Sequence, residues 1–322
     1  MRLVILTSVI LASVLVGPAP DARAELRAFV TNERSNDVTV IDVGAGKVVG
    51  TVSVGKRPRG VTVSRDGRRV YVATSDSDAV SVIDARRLSV IATPPAGRDP
   101  EGIIGDTEGK RLYVVNENEG AVTVLDVATL AIVGKIEVGT EPETAVVSAD
   151  GRWVVVSNET SNDLHVIETA TGRVIQKVAV PKNPRGMRFT ADSRRLYVAS
   201  EGAHVVSVID TSRWTVEKSV ATGGSRPVDV ALSTDGKRVY VSHGASGDVR
   251  VLDPESLALL ATIPVGPRAW WTAMTPDGTL LYVTIGRASE VAVIDTRTNA
   301  VVARIPAGTL PWGVAIADVP RD

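Results

Sequence analysis

Cysteine is absent from this chain of 322 residues. Without thiols there is no disulfide framework, no thiolate metal site and no covalent haem attachment through C-x-x-C-H. Histidine is nearly as scarce, at three residues, His165, His204 and His243. H-E-x-x-H does not occur, nor do G-x-S-x-G, a Walker loop or G-x-G-x-x-G, so none of the common hydrolytic, phosphate or dinucleotide signatures is present. Charge of one sign is lacking too: the formal net charge is -1, which gives no global pull toward nucleic acid or an anionic membrane. Aromatics make up only 4%. The one long apolar run, Leu3 to Val16, falls short of the roughly 20 residues that span a bilayer. Arg2 precedes that run and Ala22-Arg23-Ala24 follows it, so the N-terminus reads as a secretory signal cleaved after Ala24, which sends the mature protein to the periplasm. No cysteine is there to carry a lipid anchor.

What the chain has in abundance is one phrase repeated. Asp42, Asp84, Asp126, Glu168, Asp210, Asp253 and Asp295 recur at a near-constant spacing, each closing an alternating run such as "VTVID", "VSVID" or "VAVID". Period-two alternation marks a half-buried strand. Turn pairs keep the same phase, at Asp66-Gly67, Asp150-Gly151, Asp235-Gly236 and Asp277-Gly278, with weaker forms at Glu108-Gly109 and Asp192-Ser193. In the second copy the strands read "GVTVS", "RVYVA", "AVSVI" and "LSVIA". Four strands per repeat of about 40–45 residues is a β-propeller blade. The expectation is an all-β fold, a seven-bladed propeller in one domain over 25–322. "LRAFVTN" near the start matches the second strand of a blade and "PWGVAIA" near the end matches the first. The ends therefore close one blade, one strand from the C-terminus and three from the N-terminus, leaving no open junction.

The strands "RVYVAT", "RLYVVN", "RLYVAS", "RVYVSH" and "LLYVTI" resemble those of YVTN-repeat β-propellers, over the whole mature chain. Within that family the chain is similar to the seven-repeat periplasmic propellers associated with PQQ-dependent alcohol catabolism. The resemblance implies a non-enzymatic accessory or binding role beside a periplasmic PQQ-dependent dehydrogenase or its cytochrome. The docking tryptophans of the larger quinoprotein dehydrogenases are missing.

Repeated positions build scaffold, so function is sought where the copies differ. The linkers "GKRPRG", "GRDPEG", "GTEPET", "KNPRG", "SRPVD", "PRAWW" and "TLPWG" lead into each innermost strand. Proline fixes φ there, and the following glycine allows close approach near the axis. The residue after the proline position rings the channel mouth: Arg59, Glu101, Glu143, Arg185, Val228, Trp270 and Trp312. One side is charged and the other aromatic, with Trp271 adjoining. These residues, Val228 excepted, are the candidate ligand- or partner-binding set, for an anionic planar ligand such as PQQ. The competing reading makes Arg59–Glu101 and Glu143–Arg185 neighbouring-blade salt bridges and the tryptophans a channel plug.

Around this ring run acidic loops, in which Glu33, Glu117, Glu159 and Glu201 share one register, preceded by Asn32, Asn116, Asn158 and Ser200. Oxygen ligands of this kind suit Ca²⁺ or a lanthanide, although acidic residues in loops facing water are also an ordinary choice for solubility. No catalytic residue and no intrinsic cofactor are expected, and the protein is read as a monomer. Three alternatives stay open: a lactonase-like hydrolase using Glu101 and Glu143, a haem-binding propeller with His204 and His243 as ligands, and a single-strand nucleic-acid binder. The last would stack bases on Trp270, Trp271 and Trp312 and hold phosphates with Arg226 and Arg268, against the repulsion of the acidic loops.

Overall fold

Strand β1 (Glu25–Asn32) is not the edge of its sheet. It lies between β2 (Asp37–Asp42) and β28 (Pro311–Val319), so the last strand of the chain becomes the innermost strand of the first blade. β3 (Lys47–Ser53) completes that closing blade. The other six sheets are each built from four consecutive strands, giving seven four-stranded antiparallel blades. The computed structural model describes residues 24–321; apart from Ala24, the expected signal segment lies outside them. The expected fold and the one-plus-three closure are both observed.

The blades follow one local logic. "VID" aspartates accept backbone N–H groups of the turn they precede: Asp126 takes those of Ala128 and Thr129 at 3.1 and 2.8 Å, and Asp253 takes those of Glu255 and Ser256 at 3.1 and 2.7 Å. Short side chains that hydrogen-bond their own turn favour this geometry. The Asp-Gly glycines, Gly67, Gly151, Gly236 and Gly278, all sit at φ near +70°, as tight turns require. The β-branched faces of neighbouring blades then interlock into separate cores, for example Val38, Val40, Val70, Val72 and Ile83 between the closing blade and the next.

Each sheet leaves its fourth strand as an outer edge, and every blade exposes at least one large apolar side chain there, among them Val49, Ile91, Val133, Ile175, Val216, Leu260 and Val302. Lys135, Lys177, Lys218 and Arg304 interrupt four of these edges. Edge lysines and arginines discourage pairing with another chain.

The innermost strands are β4 (Pro58–Val63), β8 (Pro100–Gly105), β12 (Pro142–Val147), β16 (Pro184–Phe189), β20 (Pro227–Leu232), β24 (Ala269–Met274) and β28. Glycine at the third position of four of them, Gly60, Gly102, Gly186 and Gly313, has a steric cause. A Cβ on Gly60 would lie 2.6 Å from the carbonyl oxygen of Glu101, and one on Gly102 would lie 2.8 Å from Cα of Thr144. Those inner strands therefore approach to backbone contact, as the linker glycines predict.

Candidate functional site at the channel mouth

The linkers place the mouth residues by an unusual backbone. The residue before the proline position has positive φ in all seven linkers: Arg57, Asp99, Glu141, Asn183, Arg226, Arg268 and Leu310, between 52° and 62°. None is glycine, and non-glycine residues enter this region reluctantly. Arg57 and Asp99, which the reading of the linkers passed over, thereby join the ring. Their signal was present in the sequence, as the position immediately before each proline.

A hydroxyl fixes several of the mouth residues from behind. Thr31 accepts the N–H of Gly313 at 2.8 Å and donates to the carbonyl of Arg59 at 2.6 Å. Ser242 accepts the N–H of Asp229 at 3.2 Å and donates to the carbonyl of Trp270 at 2.5 Å. Thr284 repeats the arrangement between the N–H of Trp271 and the carbonyl of Trp312, at 3.1 and 2.8 Å. Each hydroxyl joins its own innermost strand to the next blade's.

The charged half of the mouth is a buried network. Glu101 is fully buried, with Arg59 at 2.9 Å and Arg57 at 3.3 Å in ion contact. Arg57 also holds Asp99 at 2.9 Å. Arg185 gathers three carboxylates: Glu143 at 2.5 Å, Glu159 at 2.9 Å, and Glu201. Glu201 is shared with Arg226, whose Nε donates to it at 2.5 Å. Glu33 meets Arg59 and Arg268, each at 3.3 Å. The expectation that Glu33, Glu117, Glu159 and Glu201 are loop acids facing water is thus corrected. Glu201 is buried and the other three are only partly exposed, because the loop turns its first residue inward, onto arginines for Glu33, Glu159 and Glu201. The neighbouring asparagines are likewise engaged: Asn32 and Asn116 are buried and donate to Thr39 and Thr123, both at 2.9 Å.

Crowding of acids shows in their protonation. Burial pushes the Glu101 carboxyl well above the ordinary range, and the negative Glu143 adds to this against the pull of Arg59 and Arg57. Glu117 is raised by burial and by Glu143 and Asp99. Glu159 rises to about 7, through burial first and then Glu143, Glu201 and Glu141, with Arg185 opposing. Arg185 is pulled down by burial but held above its usual value by Glu143, Glu201 and Glu159. Among the described residues, Asp99, Glu101 and Glu117 bring one carboxylate oxygen each within 4.8 Å of one another. That donor set suits a hard cation, but Arg57 already occupies two of the three carboxylates. Of the four loop glutamates, only Glu117 belongs to this triad.

The aromatic half is closed rather than open. Trp270 and Trp312 are 8% and 2% exposed and pack with Val228 and Trp271. Trp271 and Trp312 lie 4.9 Å apart at a 54° tilt. Guanidiniums cover the rings: Arg59 stands 5.3 Å from the Trp312 centroid, and Arg268 and Arg185 stand 4.6 and 5.6 Å from that of Trp270. The mouth thus presents arginines backed by indoles, and the indoles themselves seal the channel.

Histidines take structural places. His243 is buried between Thr222 at 2.7 Å and Asp248 at 3.2 Å, at the strand position that Asn32, Asn116 and Asn158 hold in other blades. His204 accepts the backbone N–H of Arg226 at 3.0 Å. His165 is buried beside Asp163 at 3.3 Å, and burial lowers its pKa. Each is engaged in bonding of its own.

Fold and site together define a seven-bladed β-propeller with a charged, tryptophan-backed channel mouth. Solved structures share that architecture. A chain of the Kuenenia stuttgartiensis hydrazine synthase is 23% identical with a TM-score of 0.77, over 89% of this chain and 99% of that one. A functionally unknown protein from Desulfotomaculum acetoxidans is 15% identical with a TM-score of 0.79, over 91% and 99%. The dihydro-haem d1 dehydrogenase NirN is 20% identical with a TM-score of 0.67, over 92% of this chain and 66% of that one. At these identities the likeness is one of fold. No protein-family model matches the chain, and no curated protein matches it.

Proposed function

We propose that this is a non-enzymatic binding propeller of the periplasm that acts beside PQQ-dependent alcohol oxidation. The channel mouth is the surface it presents, either to an anionic planar ligand such as a quinone cofactor or to a partner dehydrogenase. One observation carries the reading: Arg59, Arg185 and Arg268 are held over buried indoles at 4.6 to 5.6 Å. Guanidiniums supported in this way are desolvated on one face and ordered before binding, which lowers the entropic cost of capture. Buried charge networks are weak contributors to stability once desolvation is counted, which favours a role in recognition. The link to PQQ rests on the resemblance of the repeats. The buried indole faces count against stacking of single-stranded nucleic acid.

A second reading has one observation in its favour. Glu101 holds its proton above the ordinary carboxylate range beside Glu143, as a general acid in a lactonase-like hydrolase would.

Titration with PQQ, followed by tryptophan fluorescence, tests the first reading. Arg59→Ala with Arg268→Ala is expected to weaken binding at least tenfold, about 1.4 kcal/mol. Absence of quenching by PQQ, together with no complex with a purified PQQ-dependent dehydrogenase, overturns it. Lactone hydrolysis abolished by Glu101→Gln would establish the second.

A further inference from the structure

Beneath the tryptophan layer lies a cavity of about 370 Å³ lined by all seven innermost strands. Its open end follows from exposure along those strands. Gly60, Glu101, Glu143, Val228, Trp270 and Trp312, near the strand starts, are buried, whereas Thr62, Ile104, Val146, Leu232, Met274 and Ile316 are partly exposed and Arg188 is exposed. The cavity is therefore closed at the mouth and reached from the Asp-Gly turn face.

Seven-fold repetition supplies a control for its contents. The third strand position reads Gly60, Gly102, Thr144, Gly186, Asp229, Trp271 and Gly313, so large side chains enter only from the adjacent β20 and β24. Two positions below Gly186, β16 contributes Arg188 where other blades have Thr62, Ile104, Val146, Ala231, Ala273 and Ala315. Three neighbouring blades thus place an arginine, an aspartate and a tryptophan on one wall, while on the facing strands Val61, Ile103, Ile104, Val146 and Val314 stand among Thr62, Thr144 and bare glycine backbone. Asp229 is buried and already engaged, accepting the N–H and the hydroxyl of Thr272 at 2.9 and 2.7 Å. Arg188 has no carboxylate within ion-pair distance among the described residues, although its charge acts on the buried Asp229 carboxyl against the effect of burial, and its Nε makes one 3.4 Å bond to the carbonyl of Val230. The Nε1 donors of Trp271 and Trp312, which both line the cavity, have no protein acceptor.

We propose that this cavity is a second binding site, distinct from the mouth, for a small organic carboxylate with a compact apolar body. Arg188 would take the carboxylate, and the valine and isoleucine side chains together with the Trp271 ring would cover the body. The volume falls in the range of small-molecule sites.

Calorimetry and tryptophan fluorescence with benzoate, benzyl alcohol, hexanoate and hexylamine test this on the whole protein. Both carboxylates should bind at least tenfold more tightly than the alcohol or the amine. Arg188→Gln, at an exposed position that leaves folding intact by melting temperature, should remove that preference. Trp271→Phe should keep binding and reduce the fluorescence change, and Arg268→Ala at the mouth, which rests on Trp270 outside the cavity lining, should change neither. Four outcomes overturn the proposal: no heat with any probe, equal affinity for benzoate and benzyl alcohol, tighter binding of hexylamine, or an unaltered preference in Arg188→Gln.

Discussion

The hydroxyl of Thr284 donates to the backbone carbonyl of Trp312 at 2.8 Å and accepts the N–H of Trp271 at 3.1 Å. One methyl-sized group thereby orients two of the three indoles at the mouth and joins two blades. Thr284→Val keeps the shape and removes both bonds, leaving a buried donor and a buried acceptor unpaired. The expected loss is about 1–3 kcal/mol, read as the denaturant midpoint. The tryptophan emission maximum should shift with it; an unchanged spectrum would mean that the indoles are held by packing alone.

Removal of residues 311–321 takes away β28, including buried Trp312 and Val314. The closing blade then shows β1 as a bare inner edge. A steep fall in melting temperature or self-association in light scattering is expected. A monomer of equal stability would contradict closure of the ring by that strand.

Glu201 and Glu255 separate buried from exposed pairing. Glu201 is buried between Arg185 and Arg226, whereas Glu255 is exposed and pairs with Arg195 at 2.7 Å. Glu201→Ala leaves two guanidiniums short of an anion and should cost about 3 kcal/mol. Glu255→Gln should cost below about 0.5 kcal/mol. Chemical denaturation of the two variants decides between them.

Stability should rise as pH falls from 8 toward 5. Glu159 has a folded pKa of about 7 against an unfolded 4.5, and Glu101 and Glu117 are shifted in the same direction. A raised folded pKa gives a contribution that is complete below the unfolded value and lost as pH rises through the folded one. His165, lowered by burial, opposes this within the window, losing its contribution as pH drops below its ordinary 6.5, but it is one imidazole against three carboxyls; Asp295, lowered to about 2 by its bonds to Arg297 and Thr298, acts oppositely only below its ordinary 3.8. Melting temperature between pH 5 and 8 should therefore slope downward with pH, and less steeply in Glu159→Gln.

The repeat was legible because its determinants are local. Asp126 bonds to residues two and three positions on, and Gly151 needs its own φ, so a short window of sequence contains the cause. The same held for Arg59–Glu101 and Glu143–Arg185, since neighbouring blades lie one repeat apart. Burial was not legible. Glu201 looks like any loop acid until Arg185, from the innermost strand of its own blade, and Arg226, from the linker into the next blade, are placed over it. Trp312 looks like an exposed platform until Arg59 is. The hydroxyls of Thr31, Ser242 and Thr284 were not legible, because one partner of each lies on the next blade and three other blades put Ala73, Val115 and Ala199 at the same position. The channel wall was legible only in part: Trp271 stands beside the ring of residues that follow proline, whereas Asp229, one step beyond that ring, and Arg188, three steps beyond it, have no counterpart of like chemistry in the other repeats to mark them.

The pairing of Glu25 with Val319 puts the start of β1 and the end of β28 at the same edge of one blade. A tension applied through the two termini therefore loads that ladder one rung at a time, peeling it, instead of shearing all of its rungs together. The join that makes the ring stable to heat is its weakest point under pulling. A single-molecule force trace should show a low first event of about one strand's length, followed by blades that come apart in sequence from the opened end.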